Sequence, residues 1–211
     1  ICQDTGRSAD SIQADIKAAV GDLMVKSIAL RIDSPGGTVA GTAEIASAIK
    51  AATAAGKPVH AYIDGLAASA AYWVASAAES ITVSASTAQA GSIGVITAHY
   101  DETAALERRG YKLHVVRSVA LKAPGTMGES LSAEQLDSMQ RRVAQLHSAF
   151  AAAVQENRKL SDAQIALATT GEVWAAEQAQ KLGLVDGMQS WDAWVASIST
   201  RGSRRNETKA A

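Results

Sequence analysis

Three short segments of the sequence carry residues that could act together on a carbonyl group. In the first, residues 33–37 (Asp-Ser-Pro-Gly-Gly) follow a predicted strand over residues 26–33. Glycines allow positive φ and close backbone approach, and the N–H groups of this turn could bind the oxyanion that forms on a substrate carbonyl. An ordinary turn has the same composition, so this segment alone leaves both interpretations open.

The second segment contains a serine at a predicted strand-to-helix junction. Ser69 lies among alanines in residues 64–73, DGLAASAAYW, and a helix is expected to begin near it. A serine there is held at a helix N-terminus, its small neighbours leave room for a substrate, and the next N–H can bind the oxyanion. These features suit a nucleophile, although a serine that caps the helix is the more common occupant of such a position.

The third segment supplies a candidate base for that serine. Lys122 lies in a loop, RSVALKAPG, where apolar side chains flank it. Serine–lysine pairs are a recognised variant of the catalytic triad. A lysine accepts a proton only when it is neutral, and an apolar cleft would favour the neutral amine. A solvated loop lysine is the alternative interpretation.

Histidine is the rival base. His99 follows directly on a predicted strand over residues 92–98 and is kept as an alternative to Lys122. The other three histidines fall in predicted strands or on a long predicted helix and are expected to be structural: His60, His114 and His147.

The composition excludes several classes of protein. The chain has 211 residues, of which 47% are hydrophobic and 19% charged, so it can bury a sizeable core. Its net charge of −1 offers no basic surface for nucleic acid, and no stretch approaches the roughly 18 uninterrupted apolar residues of a membrane helix. The lone Cys2 excludes an internal disulfide. Metal-ligand spacings, a Walker loop and G-x-G-x-x-G are all absent, so we expect no metal and no cofactor.

Strand and helix patterns alternate along the chain, which is typical of a layered α/β fold. Strands are predicted over residues 26–33, 59–64, 80–84, 92–98 and 111–117. Helices are predicted over residues 11–24 and 42–52, from near Ser69, over 101–109, from a capping box at Ser132 and Gln135 to about Arg158, from a second capping box at Ser161 and Gln164, and over 175–182. We expect one domain over residues 1–200, a polar disordered tail over 201–211, and a first strand that is missing before residue 1.

Five motifs in a fixed order strengthen the interpretation of the three segments. They are IDSPGG, DGLAASAAYWVAS, GSIGV, the lysine loop leading into LSAEQ, and GLVD near the end. In this order they resemble the signal peptide peptidase A family of serine proteases. The traits LRIDSPGGTVAG, GSIGVITAHYD and ALERRGYKL are similar to its phage branch, the head-maturation proteases. The resemblance covers about residues 12–190.

The resemblance implies a ClpP/crotonase-like fold of repeated ββα-type turns with a C-terminal helical extension. It implies Ser69 as nucleophile and Lys122 as general base. The implied supporting groups are the N–H groups of Gly37 and Ala70 as oxyanion hole, Gly36 as the residue that shapes the turn, and Ser92 as a hydrogen-bond partner of the lysine. It also implies a homo-oligomer in which the lysine reaches the serine of a neighbouring protomer.

The leading hypothesis is a serine endopeptidase of phage or prophage origin that cleaves scaffold protein during prohead maturation. Its expected location is the bacterial cytoplasm, in assembling proheads, with portal and capsid proteins as further partners. Neither nucleic acid nor a membrane segment is expected. One alternative is a cellular protease that degrades signal peptides and is anchored by a segment outside this chain. Others are a capsid component without turnover, in which the fold serves assembly, and a crotonase-type acyl-CoA enzyme, whose acidic residues are not evident here.

Overall fold

The computed structural model describes residues 7–199. These residues form two compact units. We call residues 7–94 with 150–199 the sheet unit and residues 95–149 the lysine-loop unit. The expectation of a single domain over residues 1–200 stays a prediction, and the tail over 201–211 lies outside the described residues.

A mixed six-stranded sheet organises the sheet unit. Its strands are β1 (Ile28–Ser34), β2 (Val59–Ala68), β3 (Ser80–Val83), β4 (Gln89–Gly91), β5 (Val173–Ala175) and β6 (Gly187–Met188). β2 is the central strand and pairs in parallel with β1, β3 and β4. β6 adds in parallel to β3, whereas β5 adds antiparallel to β4.

The long β2 strand serves two neighbours in succession. Its first part, from His60 to Ile63, pairs with β3, and its last part, from Leu66 to Ala68, pairs with β4. The register with β1 shifts between these parts, where Gly65 has φ +118. The Asp33 carboxylate accepts a hydrogen bond from the Leu66 N–H at 3.2 Å across this irregularity. After this irregularity β2 pairs with β4 instead of β3.

Helices form much of the remaining regular structure in both units. In the sheet unit they are α1 (Ala9–Gly21), α2 (Thr42–Ala54), α3 (Ala70–Ser76), α6 (Asp162–Ala168), α7 (Ala176–Lys181) and α8 (residues 191–199). α4 (Thr103–Arg108) lies in the lysine-loop unit, and α5 (Ala133–Arg158) begins there and enters the sheet unit at Phe150. Among the helices within residues 7–199, none combines the length and the hydropathy of a membrane-spanning segment.

Large buried side chains of α2 and α3 form part of the core. Ile45 and Ile49 lie one turn apart on α2 and are fully buried. Trp73 of α3 stacks on Phe150 with ring centroids 4.8 Å apart and planes 7° apart. The Tyr72 hydroxyl donates to the Leu184 carbonyl at 2.8 Å, and burial raises the pKa of this phenol. α3 is therefore fixed against the core along its whole length.

Most predicted elements are confirmed, but two predicted strands are wrong. Residues 92–98 and 111–117 are irregular, and the strand β4 ends at Gly91, just before the first of these segments. Neither segment pairs with another strand within residues 7–199, and Ile96 and Val116 are 93% and 96% exposed. Apolar alternation predicts a strand only where a ladder partner satisfies the backbone groups. The two short strands β5 and β6 were not predicted, because two or three residues carry no readable period.

The two predicted capping boxes are confirmed. The Ser132 hydroxyl accepts from the Gln135 N–H at 3.2 Å, and the Gln135 side chain accepts from the Ser132 N–H at 2.9 Å. Ser161 and Gln164 repeat this arrangement at the start of α6. Reciprocal capping satisfies donors that a helix start otherwise leaves free, so both helices begin where the sequence predicts.

Candidate active site

Ser69 occupies the sharp turn that joins β2 to α3. Its backbone has φ 52° and ψ −127°, which an L-residue rarely adopts. Its N–H donates to the Gly91 carbonyl at 2.9 Å, and its own carbonyl accepts from the Trp73 N–H at 3.0 Å. The turn is thus held on one side by β4 and on the other by the first turn of α3.

The Ser69 hydroxyl does not cap the helix. Ser69 holds the N-cap position of α3, yet its side chain accepts no capping hydrogen bond, and the residue is half-buried. A capping serine has its hydroxyl oxygen engaged by the backbone N–H of the second or third helical residue. The capping interpretation of Ser69 is therefore wrong, and the oxygen keeps its lone pairs available.

Gly36 packs directly against this turn. Its φ is +110, and a Cβ added there would lie 2.8 Å from the Ala68 carbonyl oxygen, 2.8 Å from the Ser69 Cβ and 3.1 Å from the Ala70 nitrogen. The Gly36 N–H donates to the buried Ser34 hydroxyl at 3.2 Å. Only glycine combines this backbone conformation with so close an approach. The Asp-Ser-Pro-Gly-Gly segment and the serine segment therefore meet.

Two backbone N–H groups near this contact have no acceptor within residues 7–199. One belongs to Ala70, the first residue of α3, and the other to Gly37, which is exposed and follows the buried Gly36. The first N–H groups of a helix have no partner within the helix. Both groups are chemically able to donate to an anionic oxygen.

Ser92 is joined to the Ser69 turn through the peptide group between Gly91 and Ser92. The oxygen of this peptide accepts from the Ser69 N–H, and its N–H donates to the Glu172 carbonyl at 2.6 Å. Ser92 has φ 51° and is half-buried. A Cβ at Gly91 would lie 2.8 Å from the Glu172 oxygen, so this glycine permits the close approach of β5. The sheet unit thus brings the segments of Gly36, Ser69 and Ser92 together.

Lys122 lies in the lysine-loop unit, and its side chain is exposed. Its N–H donates to the Val119 carbonyl at 3.1 Å in a turn, and the next residue, Ala123, has φ 54°. The ammonium group has no hydrogen-bond partner within residues 95–149. The expected apolar cleft is not formed by the neighbours of Lys122, because Val119 is itself 64% exposed.

His99 takes part in the structure of the lysine-loop unit. Its Nε2 lies 2.7 Å from the Glu129 carbonyl oxygen. Since a carbonyl only accepts, Nε2 carries the proton in the neutral ring and Nδ1 is left as acceptor. Nδ1 would lie 3.3 Å from a Cβ at Gly125. His99 follows irregular backbone instead of the strand that the sequence predicts.

One arginine of the lysine-loop unit was not predicted. Arg117 donates from Nε to the Lys122 carbonyl at 2.7 Å and pairs through both Nη atoms with the Glu129 carboxylate. The sequence carries no signal for this pair, because the two residues lie twelve positions apart and nothing in the sequence pattern links the end of residues 111–117 to Glu129. No three His, Cys, Asp or Glu side chains in residues 7–199 are grouped in a way that would hold a metal ion.

Comparison with known proteins identifies the family. The model of peptidase family S49 matches residues 51–203. The chain belongs to peptidase family S49. The model of the Clp proteases matches residues 3–90. The resemblance to the signal peptide peptidase A family and the expected ClpP-like α/β fold are therefore both confirmed.

The S49 relatives include bacterial and phage proteins. Protease 4 of Salmonella typhi is 36% identical over 190 residues, which are 90% of this chain and 30% of that protein. Capsid assembly protease C of Escherichia phage lambda is 35% identical over 177 residues, 84% of this chain and 40% of that protein. Head-tail preconnector protein GP5 of Enterobacteria phage P21 is 33% identical over 177 residues, 84% of this chain and 35% of that protein. The S49 chain thus spans 30–40% of the length of these three relatives.

The contact between Gly36 and Ser69 predicts a stability defect. Gly36→Ala places a methyl group 2.8 Å from two atoms of the serine turn in a backbone conformation that favours glycine. Backbone strain of this kind costs about 1–3 kcal/mol before any steric clash is counted. We expect urea denaturation to show at least that loss in the free energy of unfolding.

Gly21→Ala is the matched control for this substitution. A Cβ at Gly21 meets no atom within 4 Å, and alanine favours the end of α1. The control is expected to equal or exceed the stability of the unmodified chain. Equal stability of Gly36→Ala and the unmodified chain would contradict the close approach.

Proposed function

We propose that this chain is a serine endopeptidase in which Ser69 is the nucleophile and neutral Lys122 is the general base. The observation that carries the proposal is the Ser69 turn in a member of a peptidase family. Ser69 has a positive φ, its hydroxyl makes no capping hydrogen bond, and Gly36 packs against it. A helix-capping or purely structural serine requires none of these features. A strained strand-to-helix turn that presents a free hydroxyl is the arrangement a nucleophile needs.

The proposed reaction proceeds in two acyl-transfer steps. The Ser69 oxygen attacks the scissile carbonyl carbon while the Lys122 amine takes the hydroxyl proton. The resulting ammonium ion gives that proton to the leaving amine as the peptide bond breaks. Water then attacks the acyl-enzyme, Lys122 takes a proton from it, and Ser69 is released with the proton returned.

The Gly37 and Ala70 N–H groups are proposed to bind the oxyanion of both tetrahedral intermediates. They lie on the two segments that Gly36 holds together, and neither has another acceptor within the described residues. A fixed donor aimed at developing negative charge contributes about 10²–10³-fold to kcat. The close approach of Gly36 is what would keep the two donors on one side of the Ser69 hydroxyl.

The base is proposed to act between protomers. Lys122 is exposed and its ammonium group lacks a partner within its own unit. A lysine accepts a proton only as the neutral amine, which burial favours, and the proposed burial comes from a neighbouring protomer. We therefore infer a homo-oligomer in which Lys122 of one protomer approaches Ser69 of the next, with Ser92 as the hydrogen-bond partner of the amine.

We propose scaffold protein of a phage or prophage head as the substrate, cleaved in the bacterial cytoplasm during prohead maturation. The phage relatives, one named a capsid assembly protease and one a head-tail preconnector protein, support this assignment. The second candidate is a cellular protease that degrades signal peptides, and the 36% identity to protease 4 of Salmonella typhi supports its being a bacterial protease. A capsid component without turnover and an acyl-CoA enzyme are disfavoured, because neither needs a serine whose hydroxyl is left free of a capping hydrogen bond.

Cleavage of an unfolded protein at pH 8 tests the two proposed catalytic residues. We expect Ser69→Ala and Lys122→Ala each to lower kcat by at least about 10⁴-fold, the scale of losing a member of a catalytic set. Ser86→Ala and Lys112→Ala are the matched controls, since both residues are exposed and lie outside the proposed site. Full activity of either test variant would remove that residue from the mechanism.

Mixing the two inactive variants tests the site between protomers. If each site takes Ser69 from one protomer and Lys122 from the next, random co-assembly of equal amounts restores about a quarter of the sites. The variants are unfolded, mixed, refolded together and assayed beside each variant refolded alone. A mixture as inactive as its components would show that both residues must come from one chain.

A further inference from the structure

Arg117 has the most extensive hydrogen bonding of the side chains near Lys122. Its Nε donates to the Lys122 carbonyl at 2.7 Å, and Nη1 donates to the Glu129 carboxylate at 2.7 Å. Nη2 donates to the other Glu129 oxygen, to the Thr126 hydroxyl at 3.3 Å and to the Ala123 carbonyl at 3.5 Å. The Arg117 guanidinium therefore binds the loop backbone at Lys122 and Ala123 and also Glu129, the residue at the end of the loop.

The Arg117–Glu129 pair is sheltered from solvent, unlike the second ion pair within residues 95–149, Arg141–Asp137. The two side chains are 14% and 20% exposed, whereas those of Arg141 and Asp137 are 57% and 63% exposed. Two-pronged arginine–carboxylate pairs fix geometry as well as adding energy, and exposed pairs contribute little. The Arg117 hydrogen bonds lower the pKa of Glu129, so its carboxylate stays charged throughout the neutral range.

The loop that Arg117 holds contains an unfavourable backbone conformation next to Lys122. Ala123 has φ 54°, and its carbonyl accepts from the Thr126 hydroxyl at 3.0 Å and from Arg117. A left-handed alanine persists only where its surroundings hold it. Without the guanidinium, the Lys122–Ala123 segment would lose its principal side-chain contacts.

We propose that Arg117 is a positioning residue for Lys122. By fixing the Lys122 carbonyl and the strained residue after it, the guanidinium sets the direction in which the lysine side chain leaves the backbone. Arg117 acts through Lys122 and has no contact with substrate in this proposal. The inference rests on the proposed function, in which Lys122 is the base.

Kinetics of Arg117→Gln and Glu129→Gln separate positioning from binding. Misplacement of a base by about 1 Å costs up to about 10²-fold in rate. We expect both variants to lower kcat 10–100-fold while KM stays within about twofold, because the substrate contacts are intact. Arg141→Gln is the matched control: it removes an exposed ion pair of the same unit and should leave kcat unchanged.

Limited trypsin digestion in a Ser69→Ala background measures the loop without relying on catalysis. Cleavage after Lys122 is followed by mass spectrometry, and Arg117→Gln is expected to speed it at least about tenfold because the segment opens more often. Thermal unfolding is recorded on the same samples. Equal cleavage rates, or a kcat loss that follows the melting temperature across all variants, would overturn the inference.

Lys122→Ala, assayed in the same series, distinguishes the two possible failures. If Lys122→Ala is inactive and Arg117→Gln keeps the unmodified kcat, the positioning role is wrong and the base assignment stands. If Lys122→Ala keeps full activity, the base assignment itself is wrong and the positioning role falls with it.

Discussion

Gly36 approaches the Ser69 turn so closely that the two segments fix each other's position. Two segments distant in sequence touch there without a side chain between them. The backbone N–H groups of Gly37 and Ala70 lie on these two segments, so one contact determines where both groups lie. The contact requires a glycine at φ +110 on one side and an L-residue at φ 52° on the other. Each is a backbone conformation of higher energy, and each persists because the sheet and α3 hold its neighbours in place.

The sheet supplies that support through the two-part pairing of β2. The start of β2 lies beside β3 in the core, and its end turns beside β4, whose last residue accepts the Ser69 N–H. The N–H of the peptide between Gly91 and Ser92 donates to the Glu172 carbonyl next to β5, so the backbone around Ser69 and Ser92 is tied to β5. A change in the register of β2 would therefore move the serine, its neighbouring turn and Ser92 together. This explains why short strands such as β4 and β5 matter to the site out of proportion to their length.

Much of this arrangement could be predicted from the sequence, for identifiable reasons. Capping boxes at Ser132 and Ser161 mark helix starts through local hydrogen bonds, and glycine and alanine beside Ser69 mark a place where backbones approach. The errors have equally physical causes. Residues 92–98 and 111–117 have the alternation of strands but no ladder partner in the described chain, and pairing is a property of two segments. The hydrogen bonds of Arg117 join residues of an irregular loop that no sequence pattern links. The exposure of Lys122 depends on the lysine-loop unit as a whole. The roles of Ser69 and Lys122 remain proposals.

In the proposed mechanism the Ser69 turn presents a hydroxyl that Lys122 activates. A fluorophosphonate transfers its phosphonyl group to an activated serine oxygen and releases fluoride, so we would treat the assembled chain with it and identify the modified peptide by mass spectrometry. We expect a single adduct, on Ser69 of the assembled chain, and at least a hundredfold slower labelling in Lys122→Ala. An adduct on another serine, or equal labelling rates in the two proteins, would contradict it.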